Sequence, residues 1–145
     1  MSDTLSVQEK EKQLIEEFAK HPDWEAKYKH IIQIGEKSGA LSAEEKTEQN
    51  LVRGCQSQVW LTAALEGERI HFQADSDAAI TRGLVAMLTR FYSGLTPVEI
   101  LQHQPNFLRD IGLSEHLSPT RSNGLLAMIK QIKIYALAFQ SKLHS

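Results

Sequence analysis

Two short runs of alternating residues, set on either side of Glu66-Gly67-Glu68, constrain this chain most. Val59, Leu61 and Ala63 alternate with Trp60, Thr62 and Ala64, and Ile70, Phe72 and Ala74 alternate after the turn. A period of two with a turn between the runs specifies an antiparallel hairpin. A two-stranded hairpin is marginal alone. The reading therefore requires a third strand, taken as the short Asn50 to Arg53 segment, and helices covering one face.

The flanking segments supply those helices. Ser6-Val7-Gln8-Glu9 has the spacing of a capping box, and Leu14, Ile15 and Phe18 carry a first helix to about Lys20. Pro22 is suited to open a second helix with the stripe Trp24, Tyr28, Ile31 and Ile32, ended near Gly39. Trp24 and Tyr28, four residues apart, read as core packing. Ser42-Ala43-Glu44-Glu45 is a second capping box, predicting a short polar helix, and Thr47 to Asn50 form an exposed approach to the loop that holds the chain's one cysteine. After the hairpin, Asp75-Ser76-Asp77 offers N-cap oxygens to a helix with Ile80, Leu84, Met87, Leu88 and Phe91 on one face, ended at Gly94. Thr96-Pro97-Val98-Glu99 starts a short helix through Leu101, and another is predicted around Phe107 and Leu108. Ser118-Pro119 opens the last helix, with Leu125, Ile129, Ile132, Ala136 and Phe139 facing the core.

The order of elements is α+β: a small antiparallel sheet of about three strands with helices packed beside it. A length of 145 residues suits one domain spanning 1–145, and 41% hydrophobic against 23% charged residues is enough to build a core. A net charge of −2 with mixed signs argues against a nucleic-acid binder. Met1 to Lys20 is charged and unlike a signal peptide, and no apolar run approaches the roughly 20 residues of a membrane span. A single cysteine forms no internal disulfide, as in a reducing cytosol. The expectation is a soluble, cytoplasmic protein.

That cysteine is the chemical centre of the reading. Cys55 follows Gly54 and precedes Gln56, Ser57 and Gln58, with Arg53 two positions upstream. A buried, inert cysteine sits among apolar neighbours. A thiol on a polar loop with positive charge nearby has the access and electrostatics of a reactive one. Composition alone leaves both readings open. The six histidines (His21, His30, His71, His103, His116 and His144) lack ligand spacing, and one cysteine holds neither a closed zinc site nor a cluster by itself. Gly54 and Gly83 read as turn or helix–sheet contact positions. Asp75 and Asp77 read as helix caps, the alternative being an acid/base pair. Arg121 falls in the first turn of the last helix, against the helix dipole, so it needs a structural carboxylate or an anionic group as partner.

The segment Arg53-Gly54-Cys55-Gln56-Ser57-Gln58-Val59-Trp60 resembles the active-cysteine segment of the SufE family of sulfur-acceptor proteins, which includes CsdE. Three other segments match in order. Trp24-Glu25-Ala26-Lys27-Tyr28 resembles W-E-x-K-Y; Asp75 to Ile80 with Arg82-Gly83-Leu84 resembles D-S-x-x-x-I-x-K/R-G-L; Leu117 to Leu125 resembles L-S/T-x-S/T-R-S-x-G-L. The G-C-Q-S-Q-V-W form sits closer to the SufE branch than to CsdE. Ala74 replaces a usual glycine, and Asn123 a common glutamine.

The resemblance implies the α+β architecture shared with IscU-type scaffolds, and a sulfur-transfer protein that works with an enzyme rather than as a free-standing one. Cys55 would accept persulfide sulfur from a cysteine desulfurase of SufS or CsdA type, stimulate it, and pass the sulfur to the SufBCD scaffold for iron–sulfur cluster assembly. The chain itself would bind no cofactor or metal, the pyridoxal phosphate belonging to the desulfurase. Arg121 would favour thiolate or persulfide at Cys55. Arg53, Gly54, Gln56 and Ser57 would form the loop, with Gly54 as hinge and Cys55 partly sheltered until the loop swings out on docking. Arg53, Asp77 and Arg82 are candidate docking charges, and a homodimer is allowed. Two other classes compete: a non-catalytic allosteric activator of a desulfurase, and a cysteine hydrolase, which would need a histidine base that the sequence does not identify.

Overall fold

The computed structural model describes residues 6–39 and 41–143. Met1 to Leu5, the start of the charged N-terminal segment, lie outside the described residues, as does His144. Helix α1 (Val7–Ala19) opens with the expected capping box between Ser6 and Glu9, and helix α2 (Trp24–Lys37) is capped by Asp23, so Pro22 precedes the helix rather than starting it. Strands β1 (Val59–Glu66) and β2 (Arg69–Ser76) pair antiparallel from Val59↔Ser76 to Glu66↔Arg69. Helices α3 (Ala79–Tyr92), α4 (Pro97–Gln102), α5 (Phe107–Ile111), α6 (Leu113–His116) and α7 (Pro119–Leu143) follow. The Thr96–Glu99 capping box is present.

Val59 and Leu61 of β1 and Ile70, Phe72 and Ala74 of β2 are buried. Helix α3 covers this face with Leu84, Met87, Leu88 and Phe91, and α7 adds Leu125, Met128, Ile132 and Ala136. These side chains belong to one core cluster, the valine, leucine, isoleucine, methionine and phenylalanine side chains each worth roughly 1.5–3 kcal/mol where fully buried.

The expected third strand does not form. Among the described residues the sheet has two strands, and the Asn50–Arg53 segment contributes one bridge, Leu51↔Trp60, with the Val52 N–H donating to Val59 O at 2.7 Å. Gly54, at φ +95°, turns the chain away immediately afterwards. The other edge is likewise held by one bridge, Ile70↔Leu95. The Ser42–Glu45 box closes only a turn, in which the Glu45 N–H donates to Ser42 O at 3.0 Å; the helical turn comes later, a 3-10 helix at Glu48–Asn50 capped by Thr47. Gly83 packs helix on helix rather than helix on sheet: a Cβ there would lie 2.0 Å from Ile31 O of α2.

Candidate functional site

The Cys55 loop is short and pinned at both ends. At its base, the bond from Val52 to Val59 joins the two flanks. At its far end, Gln58 O accepts from Ser76 Oγ (2.8 Å) and the Asp77 N–H (3.3 Å), while the Gln58 N–H donates to Asp77 Oδ1 (3.1 Å). Asp77 is therefore a loop clasp, and the cap expected of it is absent. Helix α3 begins after Ala78 with no side-chain cap, and Ser76 Oγ accepts from the Ala78 N–H at 3.3 Å.

Asp75 is not a cap either. It is 1% exposed and accepts from the backbone N–H groups of Ser76 (2.8 Å) and Leu41 (3.1 Å). Lys46 Nζ lies at 3.2 Å and Arg82 Nε at 3.1 Å. Burial works to raise its pKa, but hydrogen bonds from the Ser76 backbone, Lys46 and the Leu41 backbone outweigh it and hold the carboxyl below its ordinary value. A buried carboxylate so paired is structural. It ties the segment leading to the cysteine loop onto β2 and α3, and it takes Arg82, a candidate docking charge, as one of its partners.

Cys55 is half-buried and points inward, where its Sγ donates to Gly124 O at 3.5 Å. Gly54 carries a positive φ, and a Cβ on it would stand 3.2 Å from the Ala127 Cβ, so glycine fits both the bend and the close approach to α7. Gly124 offers backbone as a wall; a Cβ there would meet the Cys55 Sγ at 3.7 Å, ordinary contact.

The thiol borders a cavity of about 250 Å³. The loop contributes Gln56, Ser57 and Val59, helix α3 contributes Thr81, Leu84 and Val85, and the start of α7 contributes Ser118, Thr120, Arg121 and Leu125. Ser118 Oγ accepts from the Arg121 N–H at 3.2 Å, capping α7 as expected. Arg121 is exposed, and its guanidinium has no carboxylate partner among the described residues. The cation expected from sequence to face either a carboxylate or an anion thus has no carboxylate and belongs to a residue that lines the thiol's cavity. Arg53 does not: its side chain pairs with Glu48 at 3.6 Å and, with Gly54, borders a separate groove along Lys130 and Ile134 of α7. Burial pushes the Cys55 thiol above its ordinary pKa, the direction opposite to activation.

The sequence reading missed the hydroxyls of Thr81 and Thr120 and the Gly124 wall. One signal was present, since Arg121 and Gly124 are three apart and so share a helix face. Trp24 and Tyr28 do more than pack. The Trp24 ring stacks on His116 with centroids 3.7 Å apart, and Tyr28 Oη donates to His116 O at 2.6 Å, bracing the chain just before α7. Among the described residues no group of three or more His, Cys, Asp or Glu is placed to hold a metal, and no helix is long and apolar enough to cross a membrane.

The chain is 39% identical over 127 residues to an uncharacterized SufE-like protein of Synechocystis sp., covering 88% of this chain and 80% of that one. A hypothetical protein from Thermus thermophilus, known from a solution structure, superposes with a TM-score of 0.74 over 94% of this chain and 97% of its own; at 24% identity it shares the fold. Residues 12–136 match the family model described as SufE, Fe-S metabolism associated domain. The chain belongs to the SufE family, which places it in iron–sulfur metabolism beside a cysteine desulfurase.

Proposed function

We propose that Cys55 accepts sulfur from the persulfide of a pyridoxal-phosphate-dependent desulfurase of SufS or CsdA type and carries it as Cys55–S–SH to the SufBCD scaffold. The observation that carries this reading is the inward-facing thiol of the chain's one cysteine, set beside a cavity on a loop clasped at both ends. In the transfer, the Cys55 thiolate attacks the outer sulfur of the partner's persulfide. A new S–S bond forms at Sγ, the partner's S–S bond breaks, and the partner's cysteine leaves as a thiolate. Electrons balance without an oxidant, and the chain needs no cofactor of its own.

A persulfide in open solvent is readily reduced or oxidised, so the inward position shelters the cargo. It also keeps the free thiol protonated, since burial raises its pKa. An ordinary thiol is only a few per cent thiolate near neutral pH, and Cys55 in the free protein has less. Docking therefore does two things in this account. It opens the Gln58–Asp77 clasp so that the loop turns about Gly54, and it brings Cys55 out of its apolar surroundings, with Arg121 favouring the thiolate or persulfide from the cavity wall. Replacing cysteine with serine separates this carrier from a purely allosteric activator. Cys55→Ser should lose stimulation of the desulfurase; retained stimulation would assign the chain to the activator class.

A further inference from the structure

The cavity beside Cys55 is larger than a carried sulfur atom needs. Its volume of about 250 Å³ has room for several waters, whereas the outer sulfur is a single atom. The walls are of two kinds. Val59, Leu84, Val85 and Leu125 give it an apolar lining, and the Arg121 side chain with the hydroxyl-bearing Ser57, Thr81 and Thr120 completes it. Neither the guanidinium nor these three hydroxyls has a hydrogen-bond partner among the described residues. A guanidinium and hydroxyls without protein partners, lining one cavity, are the chemistry that recognises a carboxylate. Here it borders the same cavity as a sulfur nucleophile.

We propose that this cavity binds a small thiol bearing a carboxylate, of about the size of cysteine, and that Cys55–S–SH hands its outer sulfur directly to it. The proposal rests on Cys55 carrying a persulfide, as argued above. The bound thiol, as thiolate, attacks the outer sulfur. The bond from the small thiol's sulfur to the carried sulfur forms, the bond from Cys55 Sγ to it breaks, and Cys55 leaves as thiolate. The product is a small-molecule persulfide, and no oxidant or reductant is consumed. Arg121 holds the carboxylate while the apolar lining receives the carbon skeleton. The chain would then have two outlets for its sulfur, one to a protein and one to a diffusible acceptor.

The site is tested first without a persulfide. Iodoacetate and iodoacetamide deliver the same alkyl carbon to the Cys55 thiolate and differ in carrying a carboxylate or an amide. An effect of Arg121 on the thiolate population changes both rates alike and cancels in their ratio. Iodoacetate should react with saturation in concentration. Its rate relative to iodoacetamide should fall about tenfold or more in Arg121→Gln, the loss of one charge-assisted hydrogen bond, and recover partly in Arg121→Lys. A linear concentration dependence, with a ratio indifferent to Arg121→Gln, overturns the carboxylate site. Because neither reagent needs a desulfurase, that failure is distinct from failure of the carrier reading. The transfer step is then read on protein loaded with inorganic polysulfide. Cysteine should discharge Cys55–S–SH with saturation and cysteamine, which lacks the carboxylate, without it; equal behaviour of the two overturns the transfer.

Discussion

At Cys55 two requirements oppose each other. A carried persulfide needs shelter, and an attacking thiol needs to be thiolate. The structure favours shelter, with the Sγ directed to Gly124 O and the thiol's pKa raised by burial. A raised thiol pKa means that the reactive fraction grows tenfold per pH unit until the pKa is passed. Alkylation by iodoacetamide in the free protein should therefore have its midpoint above about 8.5, the ordinary thiol value, and docking on the desulfurase should move it down. A free-protein midpoint below that value, or one that docking leaves in place, would contradict a sheltered, partner-activated thiol. How much of this was legible at the residue scale follows from what a linear chain displays. Cys55 and Gly54 announce themselves by local composition, and Arg121 by its misfit with the helix dipole. Asp75 and Asp77 mislead, because an aspartate before a helix looks like a cap whether or not its carboxylate has turned toward Lys46, Arg82 or Gln58. Those partners lie 29, 7 and 19 residues away, and only the folded chain brings them in.

At the scale of elements, the site depends on helices packed unusually close. Gly83 of α3 and Gly35 of α2 touch backbone to backbone: a Cβ on Gly35 would stand 2.8 Å from Gly83 N, and one on Gly83 would overlap Ile31 O and lie 2.6 Å from the Ile31 Cγ2. Helix α3 supplies Thr81, Leu84 and Val85 to the cavity, so this crossing sets the position of one wall. Gly83→Ala should destabilise the fold by about 3 kcal/mol through overpacking, seen as a fall of about 10 °C in Tm. An unchanged Tm would mean that the two helices do not approach so closely. Periodicity revealed α1, α2, α3 and α7 because each carries an apolar face over several turns. It overestimated the sheet, because Asn50 to Arg53 has strand-like composition at Leu51 and Val52 but is confined between a 3-10 helix and the Gly54 bend, with room for one bridge. It did not reveal α6, whose four residues are fewer than a helical pattern needs to show itself.

For the whole molecule, the organisation is a brace around one loop. Asp75 secures the approach, Ser76 and Asp77 clasp the exit, and Trp24 and Tyr28 hold the chain before α7 so that Arg121 and Gly124 line the thiol's cavity. Each of the four family-like segments thus meets the site or supports it, which explains physically why residues spread from Trp24 to Leu125 form one pattern. The central claim is that this arrangement exists to carry sulfur on Cys55. Intact-mass spectrometry after incubation with a cysteine desulfurase and cysteine, without reductant, tests it most directly. The account predicts a gain of one sulfur atom, about 32 Da, that a thiol reductant reverses and Cys55→Ser lacks. An unchanged mass while desulfurase turnover still rises would contradict the carrier and leave an activator in its place.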